Sequence, residues 1–187
     1  MDIDLDFADR DKALRLFKHV AASRVSNDQL VRHNTGAYLH AVPVNAATGL
    51  CAVPFNQADD HGYFKLDFLN VSIYKDVKDN EHLDRLLNQE PVWELLLDKD
   101  FVDMLFHVNG HSDILIKTQP KSVEQLAAVL AMIRPAKRHL VDKDWSTIMK
   151  EVWVKPTSDE YYFKQSHATA YACVIVVQMN LICEQAI

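Results

Sequence analysis

Glycine and proline are scarce in this chain, with 4 Gly and 6 Pro among 187 residues. That excludes a low-complexity linker, and no internal repeat at solenoid periods is present. Cysteine is scarce too: Cys51, Cys173 and Cys183 are odd in number and show no CxxC spacing. Neither a disulfide framework nor a zinc knuckle is supported, and the three read as reduced thiols used for packing. An excess of basic residues is missing, because 20 Lys+Arg against 26 Asp+Glu leave a net charge of −6. No global positive field draws the protein onto nucleic acid or an anionic bilayer, so any contact with a phosphate backbone needs a local basic patch. Long apolar runs are missing as well. The run from Ala172 to Val177 is closed by Gln178 and Asn180, short of the ~20 residues that cross a bilayer. No membrane span is expected. The acidic start is unlike the basic opening of a secretory leader, and a cytoplasmic location is the expectation.

What the chain does contain is 49% hydrophobic and 25% charged residues, enough to fill the core of one compact domain or of two small ones. Organisation is read from periodicity. Residues 2–7 alternate strictly, placing Asp2, Asp4 and Asp6 on one strand face and Ile3, Leu5 and Phe7 on the other. From Asp9 to about Ala22 the spacing of Leu14, Phe17 and Ala21 predicts a helix, with Asp9 or Asp11 as its cap. Two short strands are expected over residues 37–44 and 50–55, joined by a turn at Asn45 to Gly49. A third strand over residues 63–69 sets Phe64, Leu66 and Phe68 against Tyr63, Lys65, Asp67 and Leu69 on the opposite face.

Beyond residue 70 the pattern turns helical. Segments are expected near residues 81–88, 92–97 and 99–107. A Ser122/Gln125 capping box precedes Leu126, Val129, Leu130 and Ile133, and Pro135 stops that helix. Asp144 caps a further segment, and Ser166 is expected to open a long apolar helix reaching about Leu181. His107 and His111 stand four apart, but Asn109 and Gly110 between them argue for a turn rather than a chelating helix face. The densest basic stretch holds Arg134, Lys137, Arg138, His139 and Lys143, and is the expected place for a phosphate backbone.

Three carboxylates at period 2 on one strand face repel one another unless a cation offsets them. Two from one strand, joined by a third from a neighbouring strand such as Asp67, form the oxygen-rich donor set that a paired Mg²⁺ site uses for phosphoryl transfer. A solvent-facing acidic edge that blunts strand-to-strand aggregation is the alternative.

The opening Met-Asp-Ile-Asp-Leu-Asp-Phe resembles the palm motif Pro-Asp-x-Asp-x-Asp-Phe of bacterial C-family replicative polymerases, the DNA polymerase III alpha subunits. Further matches follow in order. Arg32 to Val44 is similar to the family's Arg-x-x-Gly-x-His-Ala-Gly-Gly segment, and Gly62 to Leu69 to its Gly-Leu-x-Lys-x-Asp-Phe-Leu-Gly motif. Leu130 to Pro135 resembles the fingers segment ending in Tyr-Arg-Pro-Gly-Pro, and Phe163 to Ala172 resembles Phe-Asn-Lys-Ser-His-Ala-x-Ala-Tyr-Ala. The resemblance implies an α+β fold, with a palm-like β-sheet over residues 1–75 and a mostly helical fingers-like region over residues 76–187. It implies Mg²⁺-dependent nucleotidyl transfer in DNA replication, with Asp2, Asp4 and Asp67 as catalytic metal ligands and Asp6 as a bystander. Lys65 would lean toward a triphosphate or primer phosphate. Arg134, Lys137, Lys164 and His167 would contact the nucleotide or DNA.

The chain departs from the family pattern in several places. Its Gly-Ser-rich triphosphate loop stands upstream of the Asp-x-Asp strand in the family, the interval to Asp67 is shorter here, and the Gly-Pro of the fingers turn is replaced by Ala136 and Lys137. The expectation is therefore a reduced palm-and-fingers core of the kind a phage genome carries, acting in the host cytoplasm. Its partners would be DNA, deoxynucleotides and a second polypeptide supplying the missing loop. The alternative is a non-catalytic module that binds nucleic acid or a host replication protein.

Overall fold

The computed structural model describes residues 3–157 and 160–186. The fold is α+β, and the chain divides into two compact units, Met1–Asp76 and Val77–Ile187.

The first unit is built on a four-stranded mixed sheet. Its strands are β1 (Ile3–Phe7), β2 (Val20–Ser26), β3 (Gln29–Tyr38) and β4 (Leu66–Asn70), in the order β1-β4-β3-β2. β1 and β4 run parallel, while β3 is antiparallel to both β2 and β4. Between β1 and β2 lies the short helix α1 (Arg10–Leu14), which starts where the Asp9 carboxylate accepts the Lys12 N–H at 3.0 Å. The sheet has two differently furnished faces. On one, Leu5, Phe7, Leu66 and Phe68 pack with Ala37 and with Leu14 of α1, and the Phe7 and Phe68 rings stack at 5.3 Å. On the other, Ala22 and Tyr38 pack with Cys51 and Ala58 from the segment that carries α2 (Phe55–Ala58).

Several expectations change here. The helix expected over residues 9–22 is only α1, and residues 20–26 form β2 instead. Beyond α1 the apolar residues are not drawn into a helical core face, since Leu16 is 79% exposed and Phe17 45%. The β2–β3 hairpin turns at Asn27 and Asp28, both in the left-handed region with φ of 50° and 59°. That is the backbone a two-residue hairpin needs to match strand twist. Residues 37–44 and 50–55 are not two strands: only Ala37 and Tyr38 are strand, at the end of β3, and Val44 and Cys51 make an isolated bridge. The turn between them is as expected, with Asn45 Oδ1 accepting the Ala47 and Thr48 N–H groups and Gly49 at φ 71°.

The second unit is helical: α3 (Asn80–Asn88), α4 (Lys99–Asp103), α5 (Ser112–Thr118), α6 (Val123–Met132), α7 (Trp145–Glu151) and α8 (Gln165–Gln185), with 3-10 turns at Trp93–Leu97 and Pro135–Leu140. Ser122 Oγ accepts the Gln125 N–H at 3.2 Å and so caps α6. The Asp144 carboxylate accepts from the Ser146 and Thr147 hydroxyls and the Thr147 N–H at the start of α7. These bonds favour its charged form and lower its pKa. Helix α6 packs on α8, joining Leu126, Val129 and Leu130 to Ala172, Ile175, Val176 and Met179 in one core.

Ser166 does not cap α8. The helix begins one residue earlier, with Lys164 at the cap position and no side-chain capping bond. Among the described residues α8 is long and apolar enough to cross a membrane by length and composition, but half of it is buried within the unit. Its polar interruptions are structural ties of a core helix. Gln178 accepts the Phe106 N–H at 2.7 Å and donates to the Met104 carbonyl at 2.8 Å. The Asn180 amide donates to the Leu86 and Gln89 carbonyls at 2.8 and 2.9 Å, satisfying the end of α3.

Candidate functional site

The parallel pairing of β1 and β4 sets Asp4 directly beside Asp67. Paired residues in a pleated sheet leave the same face, on backbones about 4.8 Å apart, so the two carboxylates are neighbours on the face opposite Phe68. Asp2 lies outside the described residues. Asp6 is two residues on from Asp4, and partial burial with the Asp4 charge pushes its pKa above the ordinary aspartate value. The like-charge cost read from the sequence is therefore present at the outer end of the row.

Asp67 is only 8% exposed, and both of its oxygens are engaged. Oδ2 is ion-paired with the Lys65 ammonium. Oδ1 accepts the Thr35 hydroxyl at 2.6 Å. His33 Nδ1 also stands 3.8 Å from Oδ1 and accepts the Gly36 N–H at 3.0 Å.

Lys65 does not lean outward toward a triphosphate, as the resemblance implies. It is 6% exposed, and its stem lies across β3 at Gly36, the residue paired with Asp67. A Cβ at Gly36 would stand 2.8 Å from Lys65 Cδ and 2.9 Å from Ala22 Cβ. Glycine is needed there for close approach, since its φ is not left-handed.

Asp4 and Asp67 are hard-oxygen donors of the kind Mg²⁺ takes. Among the described residues, however, no group of three or more His, Cys, Asp or Glu side chains surrounds a point that could hold a metal ion. Lys65 and Thr35 occupy the two oxygens of Asp67, and Asp2, the remaining carboxylate of the expected set, lies outside the described residues.

A second cluster forms in the helical unit. The Arg134 guanidinium lies over the Phe163 ring at 5.3 Å. Phe163 stacks in turn on Tyr171 at 5.5 Å and on His167 at 6.3 Å, and the His107 ring meets Tyr171 at 4.5 Å. Arg134 Nε is buried without a hydrogen-bond partner. Burial, with the Arg134 charge added, lowers the His107 pKa and favours the neutral imidazole. Arg134, some thirty residues away in sequence, is thus brought to Phe163 beside His167, with exposed Lys164 at the start of α8.

Lys137 is not part of that surface. It is 6% exposed, and its ammonium donates to the Glu151 carbonyl at 2.7 Å. Its pKa is lowered by burial, against the opposing pull of Glu151. A buried cation that closes a helix end is unavailable to DNA, which leaves Arg138, His139 and Lys143 as the exposed members of the basic stretch. Neither Tyr171 nor His107 was singled out for this cluster from sequence. The signal for Tyr171 was its spacing of four from His167 on one helix face.

Comparison with protein-family models, with curated proteins and with solved structures finds no match for this chain.

Proposed function

We propose that the protein is a DNA polymerase III alpha-like palm-and-fingers protein acting in DNA replication, in the cytoplasm of the cell where it is made. Its chemistry would be nucleotidyl transfer onto DNA. The observation that carries this reading is the in-register pairing of Asp4 with Asp67 across two parallel strands. A structural sheet has no need of two adjacent carboxylates on one face, whereas phosphoryl transfer is served by positioned charge at the reacting centre. The cation, aromatic and imidazole groups around Phe163 support it with a nucleotide-sized chemistry of their own: a guanidinium for phosphate oxygens and ring faces for a base. Mg²⁺ is the cofactor of this reading. A protein partner that helps to hold the triphosphate or the DNA belongs to this reading, because positioning provides much of the catalysis in this class.

The test is primer extension with Mg²⁺ and all four deoxynucleotides, with and without candidate partners from the same genome. Extension should be weak alone, rise with the partner, and be lost in Asp4→Ala. Extension that Asp4→Ala leaves untouched would overturn the acid assignment.

One observation favours a second reading, a polymerase-derived module that binds nucleic acid or a replication protein without turnover. The Lys65 ammonium already neutralises Asp67. In that case DNA binding would persist in Asp4→Ala, and no partner would elicit extension.

A further inference from the structure

We propose that Lys65 is an internal cation standing where a divalent ion would otherwise sit against Asp67, so that Lys65 and a metal ion compete for one carboxylate. The inference rests on the reading of Asp4 and Asp67 as the functional acid pair. Two independent features build the arrangement. The ammonium is ion-paired to Asp67 Oδ2 while the Thr35 hydroxyl donates to Oδ1, so a metal ion would meet a bound partner at either oxygen. The route by which the lysine reaches the acid is also shaped for it. Gly36 carries no side chain at the point where Lys65 Cδ crosses β3, and a Cβ there would collide at 2.8 Å.

A lysine ammonium is a single positive charge with three donors and no further ligands, whereas a divalent ion requires several oxygens in a shell. Asp4 and Asp67 are set side by side, and the monovalent cation already holds Asp67. A divalent ion would have to expel Lys65 from a nearly buried position and complete its shell with water or with a substrate's phosphate oxygens. Lys65 therefore disfavours a metal ion at Asp67 at rest.

The experiment is a Mn²⁺ titration followed by electron paramagnetic resonance on the full chain, comparing the unmodified protein with Lys65→Met and Lys65→Gln. Gln retains a donor for Asp67 and guards against a folding defect in the Met variant. Circular dichroism confirms that each variant is folded. Both variants should bind one Mn²⁺ about tenfold or more tightly than the unmodified chain, the scale on which neighbouring groups move metal affinity, and Asp4→Asn should remove that gain. Unmodified protein that binds Mn²⁺ as tightly as the variants overturns the inference, as does a folded Lys65→Gln with no gain. On the unmodified chain, amine labelling read by mass spectrometry should find Lys65 protected without metal, and a fully reactive Lys65 also overturns it. Failure here leaves the primer-extension test intact. Conversely, a metal gain in Lys65→Gln without extension by any partnered chain upholds the competition and rejects nucleotidyl transfer.

Discussion

Removing the Asp67 carboxylate should unsettle the first unit far more than a surface mutation would. Asp67 is 8% exposed and Lys65 6%, so Asp67→Ala takes from a nearly buried ammonium the carboxylate it is ion-paired with. Breaking a buried pair in this way costs about 3–5 kcal/mol. The Thr35 hydroxyl loses its acceptor as well, a smaller loss because Thr35 is only half-buried. A unit of 76 residues has a total stability of about 4–11 kcal/mol, so the single substitution removes much of it. Lys65→Met should cost a comparable amount, for the mirror-image reason. The double variant Lys65→Met/Asp67→Leu should cost much less than the two together, because apolar residues of similar volume replace a buried pair almost neutrally.

The assay is a double-mutant cycle in urea, followed by far-UV circular dichroism and by hydrogen exchange of the β3 and β4 amides. All three tryptophans, Trp93, Trp145 and Trp153, lie in the second unit. Their fluorescence therefore serves as an internal control that should stay still. Additive losses in the double variant, or a cost below about 1 kcal/mol for Asp67→Ala, the range of exposed pairs, would refute the buried pairing. Asp67→Ala is consequently a poor probe of chemistry, and Asp4→Ala the cleaner one.

Asn180→Ala should destabilise the second unit by about 1–3 kcal/mol, since two carbonyls at the end of α3 lose a buried donor; thermal unfolding read by tryptophan fluorescence measures it. His107 is held below the ordinary histidine pKa by burial and by Arg134. On acidification through about pH 6.5 the unfolded chain therefore binds the proton first, and stability should fall as pH drops toward the folded-state pKa. In Arg134→Met the His107 titration, followed by NMR, should move upward by a part of that shift; no movement would show that the Arg134 charge does not reach the ring.

Local chemistry made much of this fold legible. The Asp-Ile-Asp-Leu-Asp-Phe alternation contains β1, Ser122 and Asp144 cap the helices they precede, and the period of Phe64 to Leu69 correctly splits Phe68 from Asp67 across the sheet. The helix extended over residues 15–22 fails because Leu14, Phe17 and Ala21 satisfy a helical period by chance, while the true signal is the Asn27-Asp28 turn. That pair is a weaker form of Asn-Gly, and its meaning depends on both residues taking positive φ.

The candidate site divides in the same way. That Lys65 and Asp67 share a face follows from a period of two, but that they are buried together depends on Gly36 in a strand some thirty residues away. Lys137 belongs to a basic run in sequence, and only the fold shows its ammonium ending on the Glu151 carbonyl. Ser166 has the right side chain for a cap but sits one residue inside the helix.

The parallel pairing of β1 with β4 has a kinetic consequence. The β2–β3 hairpin is a local structure that can form within microseconds from neighbouring residues, whereas Asp4 meets Asp67 only after a loop of 63 positions has closed. Closing long loops before any contact rewards them makes such pairings slow. The acid pair is therefore expected to assemble late, on a strand β4 that also pairs with β3 through Gly36 and Ala37. A chain emerging from the ribosome holds a complete hairpin well before it holds any arrangement of these carboxylates, so the appearance of the Asp4–Asp67 pair marks completion of the first unit.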